Sequence, residues 1–235
     1  MTNPSAGKST TRALLIAGIA IGPWFIVVSL LQAMTRPGLD LTKHEVSLLL
    51  VGAAGWVQTI TFVVTGVLAL AFAVGVRRQL HPEKAGTWGP ILMAVFGILF
   101  IVTGLNHPDP QLGFPAGSPT GVPQIQSTPS NIHSIAFSAL ALCIVAFCFV
   151  FVRKFAADHA RSWTISIAAS AALIIAFVAF GGALMPTGHG GLPLLGAAIF
   201  ITGSVSAIAL RLEQHQGAQQ GTTRLIEQGE SAARA

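Results

Sequence analysis

Four short polar stretches collect the side chains best suited to chemistry. TRPGLDLTKHE brings Arg36, Asp40, Lys43, His44 and Glu45; NHPDP brings His107 and Asp109; His133 stands alone in SNIHS; and His189 lies in PTGHGG. Histidine and aspartate can ligate zinc or a similar ion, a neutral histidine can act as a general base, and arginine can hold a carboxylate or an anionic headgroup. Their spacing follows no known ligand motif: HEV at 44–46 lacks the HExxH pattern, and His-Pro-Asp is not a ligand spacing. The candidate pocket is therefore a set to be assembled by the fold: Arg36, Asp40, His44, His107, Asp109, His133 and His189. Within it His107, Asp109 and His133 are the candidate metal ligands, while catalytic roles and any cofactor stay unknown. Arg36 and Asp40, four apart across a Pro-Gly turn, fit an ion pair pinning the loop.

What must position these residues is a set of apolar helices. Of 235 residues 52% are hydrophobic and 9% charged, with a mean hydropathy of +0.70; a soluble domain carries roughly a quarter charged residues. The apolar surface has to face lipid. Six runs reach membrane length, and the expected helices are about 13–34, 54–76, 88–105, 130–152, 163–185 and 192–210, within a domain spanning 13–211. The first is too long for a signal-peptide core and lacks a small-x-small cleavage site; a bend is expected at Gly22-Pro23. The apolar stretch 46–51 is surplus to the second span and should lie in the interface or dip back towards the protein. Ser130 or Asn131 could cap the fourth helix. The small pairs Gly18/Gly22 and Ala168/Ala172 could allow close helix contact. A polar N-terminal tail, 1–12, and a polar tail, 212–235, expected to be disordered, flank the bundle.

The basic residues give an orientation. Lys8, Arg12, Arg77, Arg78, Lys84, Arg153, Lys154, Arg161, Arg211, Arg224 and Arg234 fall on one side and only Arg36 and Lys43 on the other, 11 of the 13 against 2. Cytoplasmic connections retain Lys and Arg, so both termini are expected inside and the four polar stretches outside. Abundant Ala and Gly and no sorting tail fit a prokaryotic plasma membrane.

Several functions are disfavoured. The basic residues border apolar runs and are not interleaved with aromatics, so the formal charge of +5 does not indicate nucleic-acid binding. Phosphate-binding Gly-rich loops and a GxSxG elbow are absent. Acidic residues are missing from mid-helix positions, which disfavours a pump built on a buried carboxylate. Cys143 and Cys148, five apart in one helix, face different sides and serve packing.

The segments RPGLDLTKHEVSLLLVGAAGWVQTITFVVTG (36–66) and HPDPQLGFPAG (107–117), followed by His133 at the start of the next helix, resemble the multi-pass prokaryotic membrane proteins grouped as domain of unknown function 998, or DUF998. The matching positions are Arg36, Pro37, Gly38, Asp40, His44, Ser47, Gly55, Trp56, Asp109, Pro110, Gly113, Phe114, Pro115, Gly117 and His133. In the last loop Pro193 and Leu194 depart from the polar or basic residues the family tends to carry. The resemblance implies a six-helix topology and no activity.

The expectation these readings favour is binding, with or without transport, of a small molecule or lipid headgroup at an outer polar pocket. Transport would require a polar path that includes Gln58 and the threonines of the second helix. Two rivals remain: a structural or accessory subunit, and a membrane-embedded metal-dependent hydrolase. The expected partner is the lipid bilayer, and the sequence sets no oligomeric state.

Overall fold

In hydrocarbon a backbone N–H or C=O has no water to turn to, so an apolar run of membrane length satisfies its backbone internally and becomes a helix. The structure is a computed structural model that describes residues 4–233, with side chains described for Gly7 and 9–217. It is all-α: α1 Pro4–Thr35, α2 Gly55–Leu80, α3 Ala85–Leu105, α4 Thr128–Ala157, α5 Arg161–Leu184 and α6 Gly191–Ala233, with short 3-10 helices at Val46–Leu50 and Met185–Thr187. All six α-helices are long and apolar enough to cross a membrane. Consecutive helices pack side by side and α6 returns to α1, so the six close into a ring.

Helix association in lipid depends on close packing rather than on a hydrophobic driving force. Gly66 and Gly97 face each other between α2 and α3, where an added Cβ would stand 2.5 Å and 2.7 Å from the opposite carbonyl oxygen. Phe25, Phe62 and Phe100 meet with ring centroids 5.1–5.3 Å apart, joining α1, α2 and α3 near the ring's centre. The pair Gly18/Gly22 does make a close contact: Gly22 N–H donates to Ser206 Oγ at 2.8 Å, and Ser206 Oγ donates to Gly18 O at 3.3 Å, fastening α1 to α6. Ala168 and Ala172 are exposed on α5 and make no such seam. Their helix buries only Ile167, Ile174 and Gly181.

Helix boundaries exceed those expected, because helix-forming residues continue past the edge of the apolar run. α1 is helical from the first described residue, Pro4, ahead of the expected start near 13. α2 runs on through Arg77 and Arg78 to Leu80, and α4 starts earlier than expected, at Thr128. Its cap is Ser127, whose Oγ accepts from Ser130 N at 3.3 Å; neither Ser130 nor Asn131 takes that role. The tail expected to be disordered continues α6 as helix to Ala233, since Leu, Glu, Gln, Arg and Ala are strong helix formers. Arg234 lies outside the described residues. Val46–Leu50 folds back, its Val46, Leu48, Leu49 and Leu50 buried against α1, α2 and α6.

Candidate functional site

The first connection, 36–54, and the long connection, 106–127, meet over one end of the ring. Arg36 Nη1 donates to Leu49 O at 3.4 Å and Nη2 donates to Val51 O, while the guanidinium lies 5.4 Å from the centre of the Phe114 ring. Burial lowers its pKa. The expected Arg36–Asp40 ion pair is not formed, because the guanidinium satisfies backbone carbonyls of the folded-back segment instead. Asp40 turns to its own loop: Oδ1 accepts from Thr42 Oγ1 at 2.6 Å and from Thr42 N at 2.9 Å, and Lys43 Nζ lies 3.9 Å away. Those two Thr42 bonds hold the carboxyl below its ordinary pKa.

His44 ties the two connections together. Its Nδ1 accepts from Asp40 N–H at 2.9 Å, so Nε2 carries the hydrogen that reaches Leu112 O at 3.1 Å. Leu112 and Gly113 have φ of 54° and 81°, the left-handed turn that brings Gln111 and Phe114 together. A leucine adopts that conformation only when its surroundings hold it, and His44 is one of the groups that do so. Phe114, 1% exposed, sits between the His44 ring and the Arg36 guanidinium and anchors the long connection.

Beneath this lid-shaped pair of connections is a cavity of about 340 Å³. Glu45, Asp109, Gln111, Ser130 and His133 line its upper part; Phe25, Phe62, Phe100, Phe137, Leu140 and Thr202 line the lower. Thr202 is 11 residues into α6 and Phe25 is 10 from the end of α1, so at 1.5 Å per residue the cavity reaches about 15 Å inward, near half the hydrocarbon thickness. Ser134, Ser138 and Gly182 line it and are also exposed, which places an opening between α4 and α5, on the flank of the bundle.

Glu45 is the unusual group here. Its Oε1 accepts from Gln111 Nε2 at 2.9 Å, whereas Oε2 is buried with no hydrogen-bond partner. Desolvation pushes the carboxyl up to about 7. Asp109 is better served: Oδ2 accepts from Ser127 N at 2.7 Å, and its own N–H donates to Ser130 Oγ at 3.3 Å. His133 Nδ1 lies 2.7 Å from Asn106 O and 2.9 Å from Thr103 O, both acceptors, so Nδ1 carries a hydrogen and bonds the end of α3.

The seven residues chosen from sequence thus divide. Arg36, Asp40 and His44 build the clamp; Asp109 and His133 line the cavity. His107 is exposed and lines not this cavity but a second, more open pocket of about 350 Å³ that Asp109 also borders, and His189 is exposed outside both. Among the described residues no group of three or more His, Cys, Asp or Glu is placed to hold a metal ion, so His107, Asp109 and His133 are not gathered as ligands. The condition set for transport is not met either. Gln58, Thr61 and Thr65 are buried and absent from the cavity lining. Gln58 Nε2 donates to Ser29 Oγ at 2.9 Å, and the threonine hydroxyls donate to Val57 O and Thr61 O of their own helix.

Glu45 is legible only as a member of a polar stretch, and Gln111 only as part of the segment 107–117. The one local signal is that Glu45 directly precedes the apolar VSLLL, so a fold-back of that run would draw the carboxyl inward.

A family model described as "Protein of unknown function (DUF998)" matches residues 19–211. Neither curated proteins nor solved structures yield a match.

Proposed function

Since the chain belongs to the DUF998 family of proteins of unknown function, no activity comes with its membership, and we propose that this multi-pass membrane protein binds a small amphipathic molecule in the cavity between the two connections and the helix ring. The observation that carries the reading is the cavity's graded lining: polar groups at the connection end, phenylalanines towards mid-membrane, and an opening on the lipid-facing flank. Binding sites for small molecules are mostly apolar with a few placed polar groups, and about 300–1,000 Å³ in size. A molecule with a polar head and an apolar body would satisfy both halves at once. The excess of basic residues at the opposite end favours an orientation with the cavity's polar end outside the cytoplasm.

Native mass spectrometry on protein purified in a mild neutral detergent tests this. Wild type should retain one small amphipathic molecule per chain, and Ala198→Phe, which fills the lower cavity, should lose it with the melting temperature little changed. Identical spectra for the two proteins would sink the reading.

A further inference from the structure

The cavity is uneven in charge. Its ionisable lining residues are Glu45, Asp109 and His133, with no lysine or arginine among them. Arg36, the arginine of the same connection, has its donors on Leu49 O and Val51 O and its face towards Phe114. Lys43 is exposed and stands beside Asp40. Of the three lining groups, Asp109 and His133 have backbone partners that explain their places. Glu45 is served less fully: Gln111 donates to Oε1 and the residue's own backbone N–H assists the carboxyl, but Oε2 is buried with no hydrogen-bond partner. A buried carboxylate is stable when a counter-charge and donors reach it, and unfavourable when neither does.

We propose that the missing partner is the ammonium group of a small lipophilic amine, its charged head against Glu45 and its apolar part among Phe25, Phe62, Phe100 and Phe137. The inference rests on the binding reading and deepens it by naming the ligand class. An ammonium brings both things Glu45 lacks, N–H donors for Oε2 and a positive charge. Phenyl faces add cation–π attraction for a head that moves down the cavity. An anionic head would meet two carboxylates and no cation. A neutral hydroxyl could donate one bond but would leave the charge unbalanced. Size narrows the class further: a cavity of about 340 Å³ is at the small end of ligand sites and suits one chain or ring, not a two-chain phospholipid.

The test uses the full chain in phosphatidylcholine nanodiscs, titrated calorimetrically with decylamine, decanol and decanoate, with empty nanodiscs subtracted. A pH of about 8 keeps an alkyl amine charged, since such amines titrate near 10. Decylamine should bind at one site per chain, decanol at least about tenfold more weakly, and decanoate not at all. E45Q should weaken decylamine by about tenfold to a hundredfold, the range a charge-assisted hydrogen bond carries, and leave decanol unchanged. Decanol or decanoate binding as tightly as the amine would overturn the assignment, and that comparison on wild type stands even if E45Q folds poorly. Loss of decylamine binding in phosphatidylethanolamine nanodiscs would transfer the site to a lipid headgroup and overturn the small-ligand assignment. If any probe binds to wild type and is lost in A198F, the cavity reading survives whatever becomes of the amine; silence from all three probes brings down the cavity reading itself.

Discussion

At the end of the bundle where α2 passes into α3 and α4 into α5, carboxylates meet cations: Lys154 Nζ lies 2.9 Å from both Glu83 Oε2 and Asp158 Oδ1, and Arg12 Nε lies 2.7 Å from Glu213 Oε1. At the other end Glu45 is half-buried with its Oε2 enclosed and unpaired, has the neutral amide of Gln111 as its one side-chain partner, and borders a void. The same functional group is closed within the chain in one place and left open in the other. Ion pairs of the first kind, each with one partner open to solvent, contribute about 0–1 kcal/mol and need no ligand to explain them. An unmatched buried carboxyl is a cost to the fold, and such costs concentrate where a protein meets something else.

The contrast can be broken most forcefully at the clamp that creates the cavity. Phe114→Ala removes a fully buried ring from between His44 and Arg36 and should cost about 3–5 kcal/mol of stability; hydrogen exchange should then rise across 106–127 while the opposite end stays protected. Equal protection in both proteins would mean that Phe114 does not hold the long connection.

Glu45 supplies the next largest effect. Its carboxyl titrates near 7 in the folded protein against 4.5 ordinarily, a gap worth on the order of 3 kcal/mol. Because the folded state binds the proton more tightly, this stability is fully present below about 4.5, is lost as pH rises to about 7, and is flat above that. Melting temperatures of wild type measured in detergent should fall across that window relative to those of Glu45→Gln. Parallel curves would show that the carboxyl is not desolvated as the structure has it.

Lys154→Met provides the counterpart. At the ion-paired end it should cost only about 0.2–1 kcal/mol, shrinking further with added salt, as a screened boundary network does. A loss as large as that of Phe114→Ala would erase the distinction between the two ends.

The helices were easy to read in the sequence and the cavity was not. Lipid thickness dictates the length of a spanning run, so six segments stood out without any knowledge of their neighbours. Their ends did not, because RRQL after Val76 and RLEQHQ after Leu210 are polar yet helix-forming, and the helix ignores the boundary that composition marks. Among the candidate residues Asp109 and His133 line the cavity, but nothing local separates them from His107 or His189. Only the path of the connections decides which of these faces inward. Gln58, which transport would require in a polar path, is bonded to Ser29 across the α1–α2 seam.

By itself the chain's composition and its spacing of apolar runs determined a six-helix membrane bundle with its polar residues held at the helix ends and most of its lysines and arginines on one side, because desolvation of backbone and charge acts on each segment separately. The tertiary structure alone decided that α6 closes on α1, that Phe114 clamps the long connection, and that Glu45 is left with one oxygen unmatched beside a cavity. Those outcomes depend on which side chains from distant segments come to share one space, and no property of a single segment encodes that.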